Sequence, residues 1–223
     1  MTSTDDAYPE TPDNRVRQLR DKAAYERATV HRILDAALVA SVGFVDDGRP
    51  VVVPMIYGRD GETLYLHGAR KARVVRLLEQ NDRACLNVAL VDGLVLARSA
   101  FNSSLNYRSV TVFGRPALVE DRQRKLHAMR VISDHTMPGR WDELRTPLEK
   151  EIRMTGVIAL TIDSASAKVS AGMPDDEDAD YDIPVWAGVL PLASNFGDLV
   201  GDDRVMAGVE PSPSVRALEG KQL

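Results

Sequence analysis

Residues Arg49 to Arg73 read RPVVVPMIYGRDGETLYLHGARKAR, and this stretch decides the fold. Two apolar, β-branched segments flank a Gly-bearing turn, the pattern of an antiparallel hairpin. Pro50–Tyr57 is expected as one strand and Thr63–His67 as the next, with the turn over Gly58–Gly61. Pro54 cannot donate to a ladder, so a bulge or an unpaired stretch is expected there. The second strand ends at His67-Gly68. It leads through Ala69, Arg70 and Lys71 into a short helix, expected over Lys71–Leu78 with Val74, Leu77 and Leu78 on one face.

The pattern continues on both sides. Upstream, Val39–Val45 reads as a strand turned at Asp46-Asp47-Gly48-Arg49. Before it, Val30, Ile33, Leu34, Ala37 and Leu38 form a helical stripe that Thr29 can cap. Downstream, Ala84–Val91 and Leu94–Ala97 read as strands turned at Asp92-Gly93, and Tyr107–Val119 as a long strand bent near Gly114. Asp121 can cap a helix reaching His135, with Leu126, Met129 and Ile132 inward. A short helix over Leu148–Met154, a strand over Val157–Ile162 and its extension through Ala167–Ser170 complete the core. Residues 175–182, DDEDADYD, read as a solvated acidic loop, and Ile183–Leu192 as a last apolar segment. At least six short strands with interspersed helices define an α+β, mainly β, barrel. Residues 1–24 are expected as an N-terminal arm, partly disordered, 25–192 as the barrel domain and 193–223 as an irregular tail.

Composition narrows the function. The chain has 223 residues, 44% of them hydrophobic, enough for a core of its own. Its formal charge of -5 argues against nucleic acid as a partner, which calls for a basic face. Cys85 is alone, so no internal disulfide can form and a reducing compartment is expected. No apolar run reaches the roughly 18 residues of a membrane span, and the acidic N-terminus has no apolar segment of the secretory kind. The protein is expected to be soluble and cytoplasmic.

Several residues carry chemistry. Arg70 and Lys71 at a helix start offer charge-assisted donors to a phosphate dianion, and Gly68 and Ala69 leave room for close approach. The backbone of Val51–Met55, interrupted at Pro54, offers hydrogen-bonding groups to a flat heteroaromatic edge, although a proline that merely blocks edge pairing fits as well. Arg108 alternates with Val110 and Val112, and in a core it would need an anionic partner. Trp186 beside Gly188 suits a ring packed on backbone or cofactor, or a core anchor. His67, at the strand end, is a candidate proton donor, cofactor contact or iron ligand, or simply a structural hydrogen-bonder. His31, His127 and His135 lie in expected helices, exposed, without metal-ligand spacing, and no metal site is expected. A phosphate on a flat, largely apolar ligand satisfies the first two features together, which makes flavin mononucleotide (FMN) the first ligand to consider.

VVPMIY, LYLHGARKAR, NYRSVTVFGRP and the acidic loop leading into PVWAGVLPL occur in this order. So arranged, they resemble the pyridoxamine 5'-phosphate oxidase-like family of FMN-binding split barrels, and most of all its flavin-nucleotide-binding branch that includes nitroimidazole reductases. The resemblance runs from about Tyr25 to Leu192. It implies a six-stranded antiparallel split β-barrel with flanking helices, a homodimer, and FMN at the subunit interface. Val52, Val53, Pro54 and Met55 would then line the flavin ring, with Tyr65, Leu66 and His67 beside it. Arg70 and Lys71 match the family's basic pair at the phosphate. Ser109, next to Arg108, stands where the oxidase has a flavin-contacting Gln, and Trp186 matches a W-x-G segment near the partner subunit's flavin. The oxidase's C-terminal Arg-x-His signature is missing, which speaks against vitamin B6 oxidation, and Ala69 replaces a phosphate-binding Ser.

The expectation is an FMN-dependent oxidoreductase acting on a small molecule, with NADH or NADPH as a possible donor and His67 as the best candidate acid or base. The alternatives are a haem- or flavin-binding module without turnover, with His67 as the axial ligand, and a protein that has lost its cofactor.

Overall fold

The computed structural model describes residues 6–223, and the first five residues of the expected arm lie outside the described residues. In chain order the elements are β1 (Ala23–Ala24), α1 (Arg27–Ala36), β2 (Val39–Asp46), β3 (Arg49–Asp60), β4 (Thr63–Ala69), α2 (Arg73–Gln80), β5 (Ala84–Leu96), β6 (Ser104–Leu118), α3 (Arg122–Thr136), α4 (Glu149–Met154), β7 (Thr155–Ser170), β8 (Gly188–Pro191) and α5 (Pro213–Arg216). The strand order β7-β4-β3-β2-β5-β6, with β6 pairing back to β7, closes a ring of six. This is the split β-barrel expected from the sequence, an α+β fold dominated by antiparallel sheet.

The chain forms two compact units, and β5, β6 and β7 each pass from one into the other. The unit of residues up to 37, 87–112 and 164–193 is built on α1, whose Val30, Ile33 and Leu34 are buried as the stripe predicts. The N-terminal segment packs here. Tyr8 and Asn14 are buried, and the Asn14 amide donates to the Ala165 carbonyl at 2.9 Å. β1 pairs with β7, setting Ala23 opposite Lys168.

The other unit comprises residues 38–86, 113–163 and 194–223. β2 and β3 pair without interruption from Val39↔Ile56 to Asp46↔Arg49, so Pro54 sits opposite Ser41 with no bulge. The proline is accommodated because β3 meets β4 only over Tyr57–Asp60. The expected Gly58–Gly61 turn is shorter than the sequence suggests. Gly58 pairs with Tyr65 inside the strand, and the turn lies at Gly61, whose φ is +55°. The glycine is there for another reason: a Cβ on Gly58 would lie 2.6 Å from the Val131 carbonyl oxygen of α3. In the same way β5 runs straight through the expected Asp92-Gly93 turn. Gly93 pairs with Pro191 of β8, and a Cβ there would lie 2.9 Å from the Leu190 carbonyl.

Alternation along β4 sends Leu64 and Leu66 into the barrel, where both are fully buried, and Tyr65 and His67 to the outer face. There α3 covers Tyr65, with Ala128 and Ile132 packed over Val157 and Ala159 of β7. Asp121 caps α3 by accepting from the Arg124 amide at 2.8 Å. The helix is rotated from the expected face. Lys125, Ala128 and Ile132 are buried, while Leu126 and Met129 are half-exposed. The Lys125 ammonium is tolerated because it donates to the Thr155 carbonyl at 3.1 Å and reaches that of Ile152 at 3.5 Å. In α2 the buried residues are Val75 and Leu78, while Val74 and Leu77 are half-buried, because Val75 is the residue that packs into the space left by Gly68 and Gly156. The acidic loop is solvated except at Asp176. Its buried carboxylate accepts from the Arg98 backbone and guanidinium at 2.9 and 3.0 Å.

Candidate functional site

Arg70 and Lys71 lie in the short connection between β4 and α2, not within the helix. The Arg70 amide donates to the Met154 carbonyl at 2.8 Å, and the Ala72 amide to that of Ala69, so the connection is a fixed turn. The space expected beside Gly68 is taken up by protein. A Cβ there would meet a Val75 methyl at 3.2 Å, and one on Gly156 would meet Val75 at 2.6 Å and the Arg70 Cα at 3.2 Å. Two small residues therefore let the basic turn lie close to β7. The Arg70 guanidinium binds Glu79 of α2 at 3.0 Å, while Lys71 is exposed. Arg73 pairs with Asp46. The basic pair thus offers one free ammonium and one guanidinium held by a competing carboxylate.

On β3, Val52 and Pro54 are exposed on the outward face, whereas Met55 is buried. The four residues expected to line a ring system are divided between two faces by the strand's alternation. Leu66 is fully buried and can offer only its backbone. Tyr65 is covered by α3 and meets the His127 ring edge-on at 6.1 Å.

His67 is the most distinctive of the expected residues. It lines a largely apolar niche of about 190 Å³ together with Ile56, Met129, Ile132, Met137 and Trp141, to which Ser133 and Thr136 add two hydroxyls. Its Nδ1 is buried and has no hydrogen-bond partner. Burial lowers its pKa below the ordinary histidine value. The lowered pKa favours the neutral imidazole near pH 7, and its buried Nδ1 is the ring nitrogen that has no partner. An uncharged imidazole is the form that would ligate a haem iron.

Three expected residues belong to the other unit. Arg108 has the anionic partner its strand position demands, with its Nη2 2.7 Å and Nε 2.9 Å from the two Asp92 carboxylate oxygens. The Ser109 hydroxyl donates to the Lys168 carbonyl at 3.4 Å. Trp186 is 70% exposed and leans on Gly188, where a Cβ would lie 2.8 Å from the indole. Of the remaining histidines, His127 is exposed and pairs with Asp60 at 2.8 Å. His31 and His135 are half-buried, against Tyr8 and Tyr57 respectively. Among the described residues no group of three His, Cys, Asp or Glu could hold a metal ion, and no helix is long and apolar enough to cross a membrane.

Sequence reasoning overlooked Trp141, which walls the niche from the 3₁₀ turn Arg140–Glu143. That turn is held by the C-terminal segment. The Glu143 carboxylate accepts hydrogen bonds from the Ser212 and Ser214 hydroxyls and, at 3.0 Å, from the Ser214 amide. Arg140 bridges Ser212 and Glu143 at 2.8 and 3.2 Å. These bonds, those from Ser212 first, lower the Glu143 pKa to about 2. Since the folded value lies below the ordinary carboxylate range, the latch is intact above that range and is lost only as pH falls toward 2. At pH 7, Glu143→Gln is expected to release the tail, and trypsin then cleaves after Arg216 several-fold faster than in the parent protein.

A closed six-strand split barrel, flanked by helices and carrying a basic turn after its third barrel strand, defines the flavin-type split-barrel class by fold. The Pyridoxamine 5'-phosphate oxidase family model matches residues 26–169, and this chain belongs to that family. The flavocytochrome Anf3 from Azotobacter vinelandii is 37% identical over 94% of this chain and 97% of its own, with a TM-score of 0.88. The FAD and heme binding protein from Mycobacterium smegmatis is 38% identical over 89% of this chain and 98% of its own, with a TM-score of 0.86. A Bacteroides thetaiotaomicron protein named for 5-nitroimidazole antibiotic resistance is 26% identical over 66% of this chain and 86% of its own, with a TM-score of 0.57. No curated protein matches the chain significantly.

Proposed function

We propose that this protein binds a flavin nucleotide, FMN by the expectation from its sequence, and works as a flavin-dependent oxidoreductase on a small molecule. The observation that carries this reading is the likeness, over about nine-tenths of the chain, to two proteins named for flavin or flavocytochrome chemistry. Bound flavin supplies hydride and electron transfer; the protein binds and orients it. Lys71 and Arg70 are the residues to hold its phosphate, once Arg70 exchanges Glu79 for the ligand. The outward face of β3 at Val52 and Pro54 is the surface for its ring. The absorption spectrum of the purified protein tests the reading. Bands near those of free flavin, and bleaching by NADH or NADPH, support it; a colourless protein that takes up neither FMN nor FAD overturns it. Mass analysis of the released cofactor separates FMN from FAD, which the Mycobacterium smegmatis relative is named for.

A second cofactor, haem, is favoured by one specific observation: the buried, unpartnered Nδ1 and neutral ring of His67 in an apolar niche. In this reading His67 would hold the haem iron, and Met129, Ile132, Met137 and Trp141 would keep water from it.

Two copies of the chain form the functional unit in this proposal. Val39, Val45, Val52 and Ile56 stand on the outward face of the β2–β3 pair, each 41–66% exposed. Such a patch is costly in water and suits an isologous interface. Light scattering at micromolar concentration is expected to give twice the chain mass, and Val52→Asp to shift it toward the monomer.

A further inference from the structure

Trp141, one wall of the His67 niche, sits in a turn that its own backbone fixes poorly. Short 3₁₀ segments have strained hydrogen-bond geometry. Here the Arg140 amide donates to the Met137 carbonyl at 3.0 Å, and the Leu144 amide to that of Trp141 at 3.4 Å. The chain enters the turn through Gly139 at φ +81°, a left-handed conformation that glycine adopts without strain. On one side Arg130 binds Asp142 at 2.6 Å, but these side chains are 47% and 62% exposed, and exposed ion pairs hold weakly.

The firmer hold comes from residues 211–216. The Glu143 carboxylate accepts from both serine hydroxyls and from the Ser214 amide, and Arg140 donates to Ser212. Ser214 is buried, and the Arg140 and Glu143 side chains are largely covered. Charge-assisted bonds in such surroundings outweigh an exposed pair. They fall on the first and last residues of the turn, so Trp141 is fixed between them. The segment that supplies them is closed on itself. Asn195 bridges to Gln222, and the Leu223 amide donates to the Ser194 carbonyl at 2.9 Å.

We propose that residues 211–216 are a strap that, through Arg140 and Glu143, holds Trp141 against the niche and so controls access to His67. Glu143 is a positioning residue in this arrangement. The consequence for haem rests on the haem reading of His67; the placement of Trp141 does not.

Full-length protein carrying Trp186→Phe keeps Trp141 as its one tryptophan. In it, Glu143→Gln and, separately, Ser212→Ala with Ser214→Ala are expected to about double the quenching of Trp141 fluorescence by acrylamide, as local release of the turn exposes the indole. In protein without a Soret band, reaction with diethyl pyrocarbonate followed by peptide mass analysis reads access to His67. Both variants should raise the His67 rate several-fold and leave that of His31, half-buried in the other unit, unchanged. Trp141→Ala should give the same rise, and adding Glu143→Gln to it should give no more, because one residue acts through the other. In protein that carries haem, the same variants should pass it to excess apomyoglobin several-fold faster. Unchanged Trp141 quenching overturns the proposal, as does an unchanged His67 or haem-transfer rate. So do additive effects of Trp141→Ala and Glu143→Gln, or a parallel rise at His31, which marks general loosening. A protein that never shows a Soret band ends the haem reading and leaves the Trp141 and His67 readouts in force, so the two fail separately.

Discussion

Replacing Arg70 and Lys71 together with alanine is expected to weaken flavin binding by about 3–6 kcal/mol. Two charge-assisted hydrogen bonds to a phosphate are removed, each worth roughly 1.5–3 kcal/mol. In affinity that is on the order of a hundredfold to ten-thousandfold. The two residues should not contribute equally. Lys71 is exposed and can turn to a ligand freely, whereas Arg70 must give up Glu79 at 3.0 Å. Glu79→Gln should therefore tighten binding, because it removes the competitor without touching the donor. The Arg70 backbone is fixed by its bond to the Met154 carbonyl, so the alanine variant should keep the turn and lose only the guanidinium. Titration of apoprotein with FMN and FAD, followed by flavin fluorescence, reads both effects. Unchanged affinity in the double alanine variant would remove the phosphate from this turn.

His67→Ala is expected to abolish haem retention outright, with no Soret band in the purified variant, while flavin absorption is kept. The fold should tolerate it. The Nδ1 of His67 bonds to nothing, so no native hydrogen bond is lost there, and the truncation leaves a cavity beside one already about 190 Å³ in volume. Added imidazole should restore part of the Soret band by entering the vacated space. The parent protein's pH dependence follows from the lowered His67 pKa. Burial makes the ring take up its proton at lower pH than an ordinary histidine does. In the haem reading, acidification is expected to release haem by protonating this ligand, at lower pH than for an ordinary histidine, as the Soret band followed against pH will read.

The hairpins were legible because alternation and turn chemistry are local. Asp47 and Gly48, both with positive φ, make the turn that the sequence predicts, and Asp121 caps α3 as expected. Gly58 and Gly93 misled for one reason. A glycine marks a turn by local rules, yet at these two positions it admits the backbone of α3 and of β8, segments 73 and 97 residues further on, counting to Val131 and Leu190. The site was partly legible in the same sense. His67 and the basic pair stand on a readable strand end, but the carboxylates that restrain them are elsewhere. Glu79, which holds Arg70, lies within the next helix, and the separate site residue Arg108 is likewise held by Asp92 of another strand. Trp141 gave no periodic signal at all, because its turn is anchored by serines 71 and 73 positions beyond it.

By itself, then, the order of apolar alternation, turn residues and the LYLHGARKAR segment determined the barrel, the strand that ends at His67 and the family. Local sequence suffices for this because strand pleat and turn geometry repeat over two to four residues. Only the tertiary structure decided that His67 faces a largely apolar niche with an unpaired Nδ1, that Arg70 is already held by Glu79, and that Trp141 walls that niche. Each of these is a matter of which distant groups a side chain meets, and burial and charge pairing act through space, whatever the distance along the chain.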